Sequence, residues 1–93
     1  MKIRFEEGFL YSLNEQVRYI ARDKPVAAKK FKKDLINNIK KDLKDPFHFK
    51  KSIYFKEENI RDYVFKSYVA VYLIDEQQKI ITVFGFIKYK ESL

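Results

Sequence analysis

The stretch Tyr19-Ile20-Ala21-Arg22-Asp23-Lys24-Pro25-Val26-Ala27-Ala28-Lys29-Lys30-Phe31 decides the fold, because one amphipathic helix ends in it and another begins. Upstream, Phe9, Leu13, Val17 and Ile20 recur at three- and four-residue spacing, and Leu10 and Ala21 widen the stripe. That spacing gathers apolar side chains on one side of a helix over 7–22. Asp23-Lys24-Pro25 interrupts it. Proline is accepted in a first helical turn, where its missing N–H has no partner to lose, but not in a helix interior. A second helix therefore starts at Pro25. Its Ala27, Ala28, Phe31, Leu35, Ile39 and Leu43 share a face, with Lys29, Lys33, Lys40 and Lys44 roughly opposite, and Asp45-Pro46 ends it. Two helices joined by so short a link lie antiparallel. Each has one apolar face, so the hairpin needs a further surface to cover.

The rest of the chain supplies that surface. Lys2 to Phe5 alternates polar and apolar residues as a short strand does. Ile53 and Phe55 suggest another short strand, and Ile60 to Phe65 a third. Tyr68 to Ile74 places Tyr68, Ala70, Tyr72 and Ile74 on one face and Val69, Val71 and Leu73 on the other. A polar turn at Asp75-Glu76-Gln77-Gln78 leads to Lys79–Ile87, which is β-branched, aromatic and apolar on both faces and so belongs inside a sheet. Gly85 within it marks a bulge or a close backbone approach. The predicted order is β-α-α-β-β-β-β: an α+β fold of two layers, a helical hairpin packed on a twisted, mostly antiparallel sheet. With 93 residues and no internal boundary, residues 1–93 form a single domain.

Composition excludes several classes of function. There is no cysteine and one histidine, His48, so disulfides, thiolate chemistry and cysteine- or multi-histidine metal sites are out of reach. Two glycines do not make a glycine-rich phosphate loop. No metal and no cofactor is expected. The N-terminus lacks the apolar run of a signal peptide, and no stretch is apolar enough to span a bilayer, so the expectation is a cytoplasmic protein without a membrane partner.

The net charge of +7 is not evenly spread. Residues 29–56 carry 10 lysines against 3 acidic side chains, whereas the two flanking thirds are close to neutral. A localised excess makes a directed field and points to an anionic partner, either nucleic acid or an acidic protein. The plain alternative is a solvated lysine face on the second helix.

Three pieces of the chain, taken together, resemble the RelE/ParE superfamily of toxins from bacterial type II toxin–antitoxin systems. Tyr19-Ile20-Ala21 followed by Pro25-Val26-Ala27-Ala28-Lys29-Lys30-Phe31 is similar to the ParE-type helical hairpin. Ile60-Arg61 followed by Tyr68-Val69-Ala70-Val71-Tyr72 is similar to the family's arginine-bearing strand and the strand after it. Ile80–Ile87 with Lys88-Tyr89-Lys90 occupies the place of its closing strand and basic, aromatic tail. Two features depart from the pattern. Lys88 or Tyr89 stands where a histidine is frequent, and Lys50 to Asn59 has no glycine.

The resemblance implies one of two activities. ParE-like members bind and poison DNA gyrase and are not enzymes, and the hairpin together with the missing histidine favours this side. RelE-like members cut messenger RNA on the ribosome with the substrate's own 2′-hydroxyl as nucleophile, which needs neither metal nor cofactor. In that case Arg61 is the phosphate clamp, Tyr89 stacks on a base or moves a proton, Lys56 adds charge or donates a proton, and Glu57 or Glu58 is the base. Under either activity Arg61, Lys50, Lys51, Lys88 and Lys90 are the candidates for holding the target or its phosphates. Whether the chain is an enzyme stays open, as does a third reading, a non-toxic basic binding domain of the same fold. His48, between Phe47 and Phe49, reads as a packing or surface residue. The implied partners are an acidic antitoxin protein and, as target, DNA gyrase or the ribosome with its mRNA.

Overall fold

The apolar face of the hairpin meets the apolar face of a sheet, and each covers what the other leaves open. A computed structural model describes residues 1–88. The elements are β1 (Lys2–Phe5), α1 (Glu7–Ala21), α2 (Pro25–Asp42), a single 3₁₀ turn (Pro46–His48), β2 (Ile60–Phe65), β3 (Tyr68–Asp75) and β4 (Ile80–Lys88). Pro25 occupies the first turn of α2. No helix among the described residues is long and apolar enough to cross a membrane.

The sheet order is β1-β4-β3-β2. β2, β3 and β4 run antiparallel, while β1 lies parallel to β4, with Lys2 beside Ile80 and Phe5 beside Val83. The double-sided apolar strand thus lies inside the sheet, and β2 is an outer strand. Phe9, Leu13, Phe31, Leu35 and Ile39 from the helices, with Leu43 just past α2, pack on Tyr63, Ala70, Tyr72, Ile74, Ile81 and Val83 from the sheet.

Gly85 serves both purposes that its position suggested. Val71 lies opposite Gly85 and Tyr72 opposite Val83, so Phe84 is an extra, bulged residue. The bulge switches the alternation of β4: Ile81 and Val83 face the core before it, and Phe86 after it, stacked on Tyr68 at 5.1 Å and edge-on to Phe9 at 5.9 Å. A Cβ on Gly85 would come within 3.2 Å of the Val71 Cβ.

Three details differ from the sequence expectation. Residues 53–55 form no strand, so the order is β-α-α-β-β-β; the segment makes a single bridge, Lys51 with Arg61. Side chains capture the backbone donors a strand would have used: Tyr54 N–H donates to Ser52 Oγ and Ile53 N–H to the Asp62 carboxylate, both at 3.1 Å. α2 ends at Asp42 rather than at Asp45-Pro46. Ala27 is exposed, because the helix is rotated to bury Ala28 instead.

Two tyrosines tie the sheet to the exit of α2. The hydroxyl of the fully buried Tyr72 donates to the Pro46 carbonyl at 2.6 Å, and that of Tyr63 to Asp42 at 2.5 Å. Burial first, and the Asp42 carboxylate second, push the Tyr63 pKa well above its ordinary value of 10.0. Burial likewise raises that of Tyr72.

Two outcomes are expected. The unfolded chain loses these phenolic protons near pH ~10 while the folded chain keeps them, so their stabilisation is complete below that pH and lost as pH rises beyond it. Urea unfolding midpoints will fall with alkaline pH, and less steeply in Tyr63→Phe; equal slopes would refute the linkage. Gly85→Ala will destabilise by about 1–3 kcal/mol through overpacking, and Val71→Gly in the same chain, which removes the Cβ that lies nearest to position 85, will recover part of that. Additive losses in the double variant would show that the close approach is not the cause.

Candidate functional site

The segment between α2 and β2 returns along the outer edge of β2. Ser52 N–H donates to the Ile60 carbonyl at 2.8 Å, and Asp62 N–H to the Lys50 carbonyl at 3.1 Å. Little regular structure satisfies the carbonyls of this segment, so they need donors from elsewhere. Arg61 supplies them. Its Nε donates to the Glu58 carbonyl at 2.9 Å, and its Nη1 to those of Phe49 at 2.8 Å and Phe47 at 3.2 Å. The guanidinium lies over the Phe47 ring, 5.1 Å from its centre, and the side chain is only 13% exposed. Of the five N–H groups of a guanidinium, three are thus engaged with main-chain oxygens; Nη2 faces Glu58 Oε1 at 3.8 Å.

Glu58 in turn pairs with Lys51 at 2.9 Å. The hydrogen bond and charge of Lys51, with a smaller contribution from Arg61, hold the Glu58 carboxyl below the usual carboxylate range, so it is ionised at neutral pH.

Beside this clasp lies a groove of about 490 Å³, open to solvent, with Ile53, Val64 and Val69 as its apolar floor and His48, Lys50, Lys51 and Asp62 around them. It sits on the sheet face that the hairpin does not cover. Val64 is 58% exposed. Asp62 Oδ2 accepts from Ile53 N–H, whereas Oδ1 is buried and has no partner among the described residues. A smaller hollow beside the groove is lined by Lys51, Ser52, Phe55, Lys56, Glu57 and Glu58.

The structure therefore brings Arg61, Lys50, Lys51 and Lys56 into one neighbourhood. It does not bring Lys88 there: Lys88 pairs in register with Tyr68, whereas Arg61 pairs with Tyr72, four residues or about 13 Å along the sheet. Tyr89 and Lys90 lie outside the described residues. His48 is exposed, its ring edge-on to Phe49 at 5.1 Å. Sequence reasoning missed Asp62 and the Phe47 and Phe49 carbonyls. The one available signal was a carboxylate on the same face of β2 as Val64; the carbonyls leave no mark in a sequence.

The sequence matches the family model described as ParE toxin of type II toxin–antitoxin system, parDE, over residues 3–92. The chain belongs to the ParE toxin family. Among solved structures it is similar to the chromosomal ParDE toxin–antitoxin system from P. aeruginosa, with a TM-score of 0.77 at 13% identity over 97% of each chain. It is also similar to the isolated E. coli RelE toxin, with a TM-score of 0.56 at 14% identity over 98% of this chain and 86% of that one. At such identities these two likenesses concern the fold. No curated protein matches the sequence. The superfamily resemblance carried by the hairpin and strands is thus upheld, on its ParE side.

Arg61→Ala and Arg61→Lys are both expected to lower stability by about 1.5–3 kcal/mol, the range for hydrogen bonds to a charged group, and to speed amide exchange across residues 47–62 of this ParE-family chain. Lysine fails because its donors radiate from one nitrogen, whereas the planar fork of Arg61 reaches Glu58 through Nε and Phe47 and Phe49 through Nη1. Unchanged exchange in both variants would show that the clasp does not hold the segment.

Proposed function

We propose that the chain acts as the toxin of a type II toxin–antitoxin pair by binding and inhibiting DNA gyrase, without chemistry of its own, and that an acidic antitoxin restrains it. Family membership supports the toxin role. The observation that carries binding over cutting is the commitment of Arg61 to main-chain carbonyls. A phosphate-cleaving site needs a cation free to meet developing charge and a group free to move a proton. Here Glu58 is engaged by Lys51, and the Tyr63 and Tyr72 hydroxyls are engaged by Asp42 and Pro46. Lys50, Lys51 and Lys56 are exposed and present positive charge to a target or to an acidic partner.

The antitoxin is read as an extended acidic segment lying along the groove, its apolar side chains on Ile53, Val64 and Val69 and its carboxylates against Lys50 and Lys51. Its association rate should fall as salt rises.

Purified protein is to be assayed for inhibition of gyrase supercoiling and for cleavage of mRNA on translating ribosomes. The expected result is inhibited supercoiling with intact mRNA, and inhibition weakened about tenfold or more by Lys50→Glu with Lys51→Glu. Cleavage on ribosomes with unaffected gyrase would replace this reading with the RelE-like one. Neither effect, and no slowing of growth on expression, would leave a non-toxic basic binding domain.

A further inference from the structure

A second concentration of charge lies on α2, on the hairpin side of the sheet and away from the groove. Lys29, Lys33 and Lys40 fall within a sector of about 40° on the helix, turned away from Ala28, Leu35 and Ile39, and span about 17 Å along its axis. Lys44, in the turn just past the helix, continues the line. None of the four forms an ion pair among the described residues; the neighbouring Lys30 does, with Asp34 at 3.1 Å.

What surrounds these lysines selects the partner. Every exposed residue from 29 to 44 is a lysine or an asparagine: Lys29, Lys30, Lys33, Asn37, Lys40, Lys41 and Lys44. The exposed apolar residues of the helix, Val26 and Ala27, stand in its first turn, ahead of the lysines, so an acidic protein segment lying along 29–44 would bury no exposed apolar side chain there, and helix recognition in grooves rests on a series of such anchors. A membrane surface is engaged through apolar groups beside the basic ones along the helix, and this face has only Val26 at its N-terminal end. A phosphodiester backbone needs only a row of cations and a few neutral donors, because the free energy comes from releasing its condensed counterions. Lysine, a mobile point charge without the arginine fork, suits phosphate oxygens, and contacts to phosphate carry no sequence information directly.

We propose that the outer face of α2 binds the phosphodiester backbone of nucleic acid without sequence preference, through Lys29, Lys33, Lys40 and Lys44, at a surface separate from the Lys50–Lys51 groove. The proposal does not depend on gyrase being the target.

Binding of the full chain to a duplex of arbitrary sequence and about 25 base pairs, and to a single-stranded RNA of the same length, is to be followed by fluorescence anisotropy over a series of salt concentrations. For duplex the logarithm of affinity should fall against the logarithm of salt with a slope of about −3 to −4, near 0.9 per neutralised phosphate. Replacing the four lysines by glutamine should weaken binding about tenfold or more and flatten the slope by about 3, whereas replacing all four by arginine should preserve both. A control with Lys2, Lys24, Lys66 and Lys79 changed to glutamine has the same net charge and should stay within about threefold of the parent. The duplex and RNA arms show which backbone is preferred, and either preference supports the proposal. Equal losses in the stripe and control variants would reduce the effect to net charge and overturn it. So would absent binding, or equally tight binding to polyglutamate or to phosphatidylglycerol vesicles. The arginine variant guards against misfolding, since it keeps charge and helix propensity alike.

Discussion

The guanidinium of Arg61 organises the long segment between α2 and β2, which helices and strands do not. Between α2 and β2 the chain has a single 3₁₀ turn and an isolated bridge, so several of its carbonyls have no ladder to join. Arg61 gathers three of them from two directions in sequence, Phe47 and Phe49 before the bend and Glu58 after it. Together with the main-chain hydrogen bonds of Ser52 to Ile60 and of Asp62 to Lys50, that convergence lays the segment against β2, so that Ile53 lies over the exposed face of the sheet and Lys50 and Lys51 rim a groove. The residue that resembled a phosphate clamp is in this structure a clasp on the chain's own backbone.

The fold also sorts the positive charge of the middle third into two surfaces of different character. Along the groove, lysines alternate with Ile53, Val64 and Asp62, a mixture of cations, apolar floor and a carboxylate oxygen without a partner among the described residues. Such a surface can distinguish among partners, because shape, burial and hydrogen bonding all contribute. Along α2 the exposed residues from 29 to 44 are lysines and one asparagine, and charge dominates what that face offers. The bend at residues 43–59 separates the two surfaces onto opposite sides of the sheet.

Much of the architecture was readable in the chain because it rests on periodicity and punctuation. The recurrence from Phe9 to Ile20, Pro25 at a helix start and the alternation in β3 each record a local constraint, and the structure keeps all three. The bulge at Gly85 was legible for the same reason, since a glycine inside an apolar strand weakens it unless a bend or a close neighbour requires the missing side chain. The strand expected at 53–55 failed because apolar residues there do face a sheet, but from a loop whose donors Ser52 and Asp62 capture. Of the candidates the sequence offered, Arg61, Lys50, Lys51 and Lys56 lie in one neighbourhood, while Lys88 is about 13 Å removed along the sheet.

By itself the amino-acid sequence determined the hairpin, the interior strand and the charge imbalance, which follow from local spacing and composition, and it carried the resemblance to a toxin superfamily that the family match upholds. Only the tertiary structure decided where Arg61 directs its donors, that Asp62 lines a groove, and that the lysines divide between two faces. The reason is physical. Hydrogen bonds between a side chain and distant carbonyls, and the burial of one face against another, depend on pairs of residues far apart in the chain, and a linear pattern does not encode which members of those pairs will meet.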